Sequence, residues 1–333
     1  MSAVFRHPGS ALPNLLATGH VLAGYGAGLW LMATASWPVA LAATLWFAHA
    51  LVIAAYLFHE FAHNSIFANP AWNRRAGTLM TWLTGSCYAR YEHLRAKHMR
   101  HHVDRADVIS LDVKAWLLAG PAWRRRLILA LEWAWIPAVD LVMHGWMMLM
   151  PFAPGGRRAD RARTLGVLVM RGCTFAGLAW VAPRAAALYV LAYLGMMTVL
   201  RFADCFQHTY DAYAIGEQEA VPRDRLRDAA YEQGNTYSNL VSLRFPALNL
   251  LLLNFAYHNA HHAQPTVPWH RLPALHQRLY GSACAQSIPM ARLLPPFHRH
   301  RVSRVLADDY GHVDAGDPSA FRGAVGVSFL TAA

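Results

Sequence analysis

Three short runs concentrate the residues able to do chemistry. HEFAH carries His59, Glu60 and His63; HMRHH carries His98, His101 and His102; HNAHH carries His258, His261 and His262. A fourth stretch, DCFQH, sets His208 four residues after Asp204. On a helix, residues three or four apart share a face, so each run offers two or three imidazoles to one pocket. With 19 histidines in 333 residues, an HxxHH pattern arises by accident in roughly one such chain in twenty, and two copies in roughly one in several hundred. The spacing therefore calls for a ligand that binds imidazole. Nine clustered imidazoles exceed what one zinc ion accepts and suit two metal ions. Imidazole binds iron, zinc, copper and nickel alike, so ligand type leaves the metal open.

HEFAH also satisfies HExxH, the zinc metalloprotease motif in which the Glu is the general base. That alternative leaves the other two boxes without a purpose. In the dimetal reading Glu60 lies outside the ligand set and orients an imidazole or balances metal charge. A non-enzymatic metal store or carrier would instead place its ligands at midplane on broken spans. Lone histidines read as hydrogen-bonded structural residues: His20, His49 and His144 in apolar runs, and His270, His276, His298, His300 and His312 further on. His93 lies near the second box but outside its spacing.

The elements that must position these boxes are set by an apolar composition. Hydrophobic residues make up 55% and charged residues 15% of the chain, with twelve Trp, against about 25% charge in a soluble domain. This is an integral membrane composition. The net charge of +11 reads as positive-inside loops rather than a nucleic-acid surface, so no nucleic-acid partner is expected. Cys87, Cys173, Cys205 and Cys284 show no CxxC spacing, which argues against a disulfide frame or an iron–sulfur cluster. The first residues lack the pattern of a cleaved signal peptide.

Residues 15–36 and 39–58 are apolar runs separated by Trp37-Pro38; residues 164–182 and 185–200 are a second pair around Pro183-Arg184. Each is long enough to cross about 30 Å of hydrocarbon as a helix. Shorter apolar pieces at 77–89 and 127–150 read as interfacial, and 247–257 is too short to span. Arg171, inside the third run, either snorkels or meets a carboxylate such as Asp140. The expected fold is all-α and integral to the membrane: four transmembrane helices in two hairpins, interfacial helices, and a cytoplasmic helical cap carrying the histidine boxes. It forms one domain over 1–333, with a first hairpin (15–58), a cytoplasmic and interfacial segment (59–163), a second hairpin (164–206) and a cap and tail (207–333). Arg and Lys counts put the boxes and both termini on the cytoplasmic side.

HxxxH, HxxHH and HxxHH, in this order between apolar hairpins, resemble the membrane fatty acid desaturase and hydroxylase superfamily. FQHTYD and NFAYHNAHHAQPTVPWHRLP are similar to the desaturase branch. The resemblance runs from about His59 to His262. It implies a non-haem diiron centre, O2 as co-substrate and an aliphatic chain as substrate: a fatty acid, an acyl thioester or a lipid. Carried over, the iron ligands are His59, His63, His98, His101, His102, His258, His261 and His262. The counterpart of a further ligand, the His of an NxxxH group, is His208, with Asp204 where Asn would stand; that departure leaves Asp204 open as a ligand or a supporting charge. Asn254, four residues before His258, is a second candidate for support. The implied reaction removes hydrogen from an unactivated C–H bond. A second abstraction gives an alkene by desaturation, oxygen return gives an alcohol, and loss of CO2 gives a terminal alkene, as in fatty-acid decarboxylases of similar layout. Electrons would come from a separate ferredoxin or rubredoxin type donor. Arg74, Arg75, Arg95 and Arg124 to Arg126 would steer an acidic donor or meet anionic lipid.

Overall fold

The computed structural model describes residues 4–210, 213–215, 227–281 and 284–332, with only the backbone of 213–215. Helices dominate it. In chain order they are α1 (Ala11–Thr34), α2 (Trp37–Ala62), α3 (Pro70–Leu83), α4 (Tyr91–Asp104), α5 (Val113–Ala119), α6 (Ala122–Trp133), α7 (Ala138–Leu149), α8 (Arg161–Val181), α9 (Pro183–Asp204), α10 (Ala229–Gly234), α11 (His258–Ala263), α12 (Leu272–Tyr280) and α13 (Met290–Arg299). Two three-residue strands, β1 (Asp107–Ile109) and β2 (Tyr213–Ile215), pair in parallel.

Four helices are long and apolar enough to cross a membrane: Ala11–Thr34, Trp37–Ala62, Arg158–Val181 and Pro183–Asp204. Proline starts two of them. Pro38 and Pro183 sit in the first turn, where a missing N–H costs nothing. α2 is buried on every side from Ala50 to Ala62, which makes it the central helix. Its contact with α1 is close: a Cβ at Gly24 would stand 2.5 Å from that of Ala50, so only glycine fits. Leu15, Leu45, Val181, Val190 and Leu191 point outward, an apolar girdle suited to lipid. Arg184 joins the far ends of α1 and α9. Its guanidinium donates to the carbonyls of Met32, Ala33 and Ala35 at 2.7–2.9 Å, satisfying the orphan C=O groups at the end of α1.

Several expectations shift. The third apolar helix starts earlier than 164, because Arg161 and Arg163 are helical and reach back to the carbonyls of Pro151, Cys87 and Tyr88. The 127–150 piece is two helices, α6 and α7, broken at Trp135, whose φ is +65°, and at Pro137. Arg171 does not meet Asp140. It donates to the Trp82 carbonyl at 2.8 Å and lies over the Phe175 ring. The arginine that meets Asp140 is Arg201, near the end of α9, at 3.4 Å; it also binds both Glu132 oxygens at 2.6–2.7 Å. That pairing is set by how α7 and α9 lie together, which run-length reasoning does not give.

Candidate metal centre

His59 and His63 end α2. Two residues of α4 reach its last carbonyls: Arg95 Nε donates to Ala62 O at 2.8 Å and Tyr91 OH to Phe61 O at 2.8 Å. The first two boxes are thereby locked together. α11 is tied to the 236–238 stretch through Asn259, whose amide donates to Thr236 O and whose Oδ1 accepts from Ser238 Oγ. His208 follows α9 by a short turn and forms a bridge with Thr236. Four separate stretches of chain converge this way.

The nine histidines fall into two groups. His59, His63, His98, His102 and His261 form one; His101, His208, His258 and His262 form the other. Within each group the ligand nitrogens lie within 4.8 Å of one another. Each HxxHH box splits. The i, i+4 pair goes to one group and the i+3 residue to the other, because side chains one position apart on a helix diverge by about 100°. Box two sends His98 and His102 to the first group and His101 to the second. Box three does the reverse, with His261 in the first group and His258 and His262 in the second.

Nitrogen faces nitrogen throughout. His63 Nε2 lies 2.7 Å from His98 Nε2, His102 Nε2 3.3 Å from His98 Nε2, His261 Nε2 3.2 Å from His102 Nε2, and His208 Nε2 is 3.0 Å from His101 Nε2 and 2.7 Å from His258 Nε2. A web of imidazoles cannot satisfy all these contacts by proton sharing, since each neutral ring has one N–H. Both His59 nitrogens and His262 Nε2 are buried without a hydrogen-bond partner among the described residues. Nitrogens about 2.1 Å from a metal ion, in adjacent coordination positions, stand roughly 3 Å apart. The residues fit a pair of metal ions. Protonation does not compete: burial, reinforced by the other imidazoles, holds His98, His102, His208, His258 and His262 well below the ordinary histidine value, and His261 at about 3.

The second group has a built outer layer. His262 Nδ1 donates to Glu232 Oε1 at 2.8 Å, and Glu232 in turn accepts from Arg105 Nε at 3.0 Å. His101 Nδ1 faces the Ala106 carbonyl at 3.2 Å and Asp107 Oδ1 at 3.4 Å. Thr236 gives its hydroxyl hydrogen to Glu232 O at 2.6 Å, which turns a lone pair toward His208 Nδ1 at 3.3 Å. These acceptors put the ring proton on Nδ1 and leave Nε2 free to bind metal. Sequence reasoning missed Glu232 and Asp107. Neither stands in a motif, and Glu232 lies in a six-residue helix whose sequence holds no ligand spacing.

The three supporting residues named from the sequence behave differently. Glu60 Oε2 accepts from Ser65 Oγ at 2.6 Å and Trp269 N at 3.1 Å, and Oε1 lies 3.7 Å from His59 Nδ1. Its carboxylate chiefly ties loops together. Asn254 donates to the Trp269 carbonyl at 3.3 Å. Asp204 is buried, lines a cavity with His98, His101, His208 and His258, and is outside both nitrogen groups. The lone histidines bond elsewhere: His20 Nε2 to His49 Nδ1 at 2.9 Å, His144 Nδ1 to Tyr193 OH at 3.1 Å, and His93 lies 3.7 Å from Asp160. Among the described residues no cysteine joins either group.

Comparison with curated proteins gives no match. The model of the fatty acid desaturase family matches residues 35–293, well over half of the chain and inclusive of all three boxes. With apolar helices of spanning length and two histidine groups able to hold metal, the chain belongs to the fatty acid desaturase family.

Proposed function

We propose that this protein is a non-haem diiron enzyme that uses O2 to desaturate an aliphatic fatty-acyl chain. The observation that carries the reading is the sorting of His59, His63, His98, His102 and His261 into one group and His101, His208, His258 and His262 into another. Bound iron, reduced by the external donor, would activate O2 as the oxidant for hydrogen removal from an alkyl C–H bond, which is too weakly acidic for any side-chain base. The protein's part is to keep the imidazoles of His98, His102, His208, His258, His261 and His262 neutral by burial, to orient the second group through Glu232, Asp107 and Thr236, and to exclude water. Phe255 and Phe329 do the last, with ring centres 4.7 and 5.9 Å from that of His59. Glu60, tied to Ser65 and Trp269, stands as a brace, which argues against a zinc protease.

In this reading the apolar helices cross the bilayer as two hairpins within one domain over 1–333. The boxes sit in a cytoplasmic helical cap on the side of both termini, and a separate ferredoxin or rubredoxin type donor docks on the basic cytoplasmic face. The test is metal content and turnover in one preparation. Protein purified in detergent is assayed for metal, then given O2, a reducing system and a mixture of fatty acids and acyl thioesters, with products read by mass spectrometry. About two irons per chain and an acyl product lighter by two hydrogens are expected. A product heavier by one oxygen would make it a hydroxylase, and a terminal alkene one carbon shorter a decarboxylase. One zinc per chain without O2 uptake would return HEFAH to the protease reading.

A further inference from the structure

Residues 324–332 run through the interior without helix or strand. The stretch AVGVSFLTA carries no charge, and Phe329, Leu330, Thr331 and Ala332 are buried. Phe329 stacks near Phe58 and reaches His59 and His98, with ring centres 5.9 and 6.3 Å apart. Two cavities flank the segment. One is lined by His98, His101, His208 and His258, the other by His144, Met196, Met197 and Leu200; Asp204 and Val327 line both. The segment is the partition between them. The outer cavity lies between α7 and α9, whose Met196 and Met197 adapt to varied apolar shapes. Gly323 and Gly326, at φ of +80° and +82°, set the bends by which the chain enters.

Lys97 marks the inner end. It is only 4% exposed, one residue before His98, and its ammonium donates to the Ser328 carbonyl at 2.7 Å, with Ser110 and Thr331 hydroxyls at 3.3 Å. A buried ammonium holding a backbone carbonyl, followed by an apolar side chain against the histidines, has the layout of an acyl group. We propose that residues 324–332 fill the acyl-chain channel and leave it when substrate enters, and that Lys97 then receives the substrate's acyl carbonyl in place of Ser328. The proposal rests on the desaturase reading above. Acid, ester and thioester share that carbonyl. Because Phe329 directly follows Ser328, the carbons held against the histidines lie close to the carbonyl end.

The test uses iron-loaded full-length protein in phosphatidylcholine nanodiscs without O2 or reductant, so that no turnover is needed. Amide hydrogen exchange over 324–332 is followed by mass spectrometry with and without dodecanoate or its methyl ester. Bound ligand should speed exchange there by about tenfold or more. Phe329→Ala should bind dodecanoate more tightly, because the internal competitor is weakened. Lys97→Met should lower affinity for acid and ester relative to dodecane by about tenfold, because all three gain from the released Ser328 but only acid and ester lose a carbonyl contact. Exchange unaltered while calorimetry shows dodecanoate bound overturns the proposal, as does failure to bind dodecanoate at all. When O2 and a reducing system are then added to the same nanodiscs, acyl oxidation with the segment still protected would sink this inference and leave the desaturase reading standing; ligand-driven release without any acyl oxidation would do the reverse.

Discussion

The two histidine groups sit side by side yet are built differently. Around the first, Phe255 and Phe329 pack on His59, and among the described residues no carboxylate is hydrogen-bonded to its rings: Glu60 Oε1 lies 3.7 Å from His59 Nδ1, and Glu232 comes within 4.8 Å of His102. Around the second, Glu232, Asp107 and Thr236 hold the rings of His262, His101 and His208. One site is fixed by packing against aromatic rings; the other is fixed by hydrogen bonds and charge. The difference teaches that a run of identical residues can be oriented by two separate means, and that the two sites should fail differently.

The largest effect should follow loss of a shared box residue. His261→Ala and His258→Ala should each cut turnover by more than about a hundredfold, beyond what loss of an outer partner costs. Iron analysis with Mössbauer spectroscopy should show one group disturbed first in each variant; identical spectra would break the division into two groups. Next comes Glu232→Gln, which removes the charge holding His262 and should lower iron affinity or activity about 10–100-fold. Iron titration should assign the loss to the second group. Glu60→Gln should act mainly on stability. It weakens the tether to Ser65 and Trp269, costs about 1–3 kcal/mol, and should lower the melting temperature with less iron loss than Glu232→Gln; a larger iron loss would make Glu60 a true supporter of His59. The smallest effect is expected for Thr236→Val, which removes one hydrogen bond to His208 at about 1 kcal/mol and should weaken iron binding by less than about tenfold.

Much of this site is legible in the chain itself because its signals are local. HxxxH and HxxHH report the helical period, and the nine histidines they and His208 supply are the ones gathered into the two groups. The lone histidines His20, His49 and His144 found hydrogen-bond partners as expected. Glu232 escaped because nothing near it repeats, and the Arg201–Glu132–Asp140 cluster escaped because its members come from α9, α6 and α7. The intrusion of residues 324–332 beside His98 has no local sign either, since a short uncharged stretch looks the same in a tail as in a core.

Apolar lengths long enough to span and the register that turns paired histidines toward a common side are written locally, because both depend only on residues a few positions apart. Which histidine joins which group, which carboxylate steadies it, and what lies against the site were decided by tertiary structure alone. Adjacent side chains diverge by about 100° around a helix, and only the neighbouring helix fixes where each of them ends.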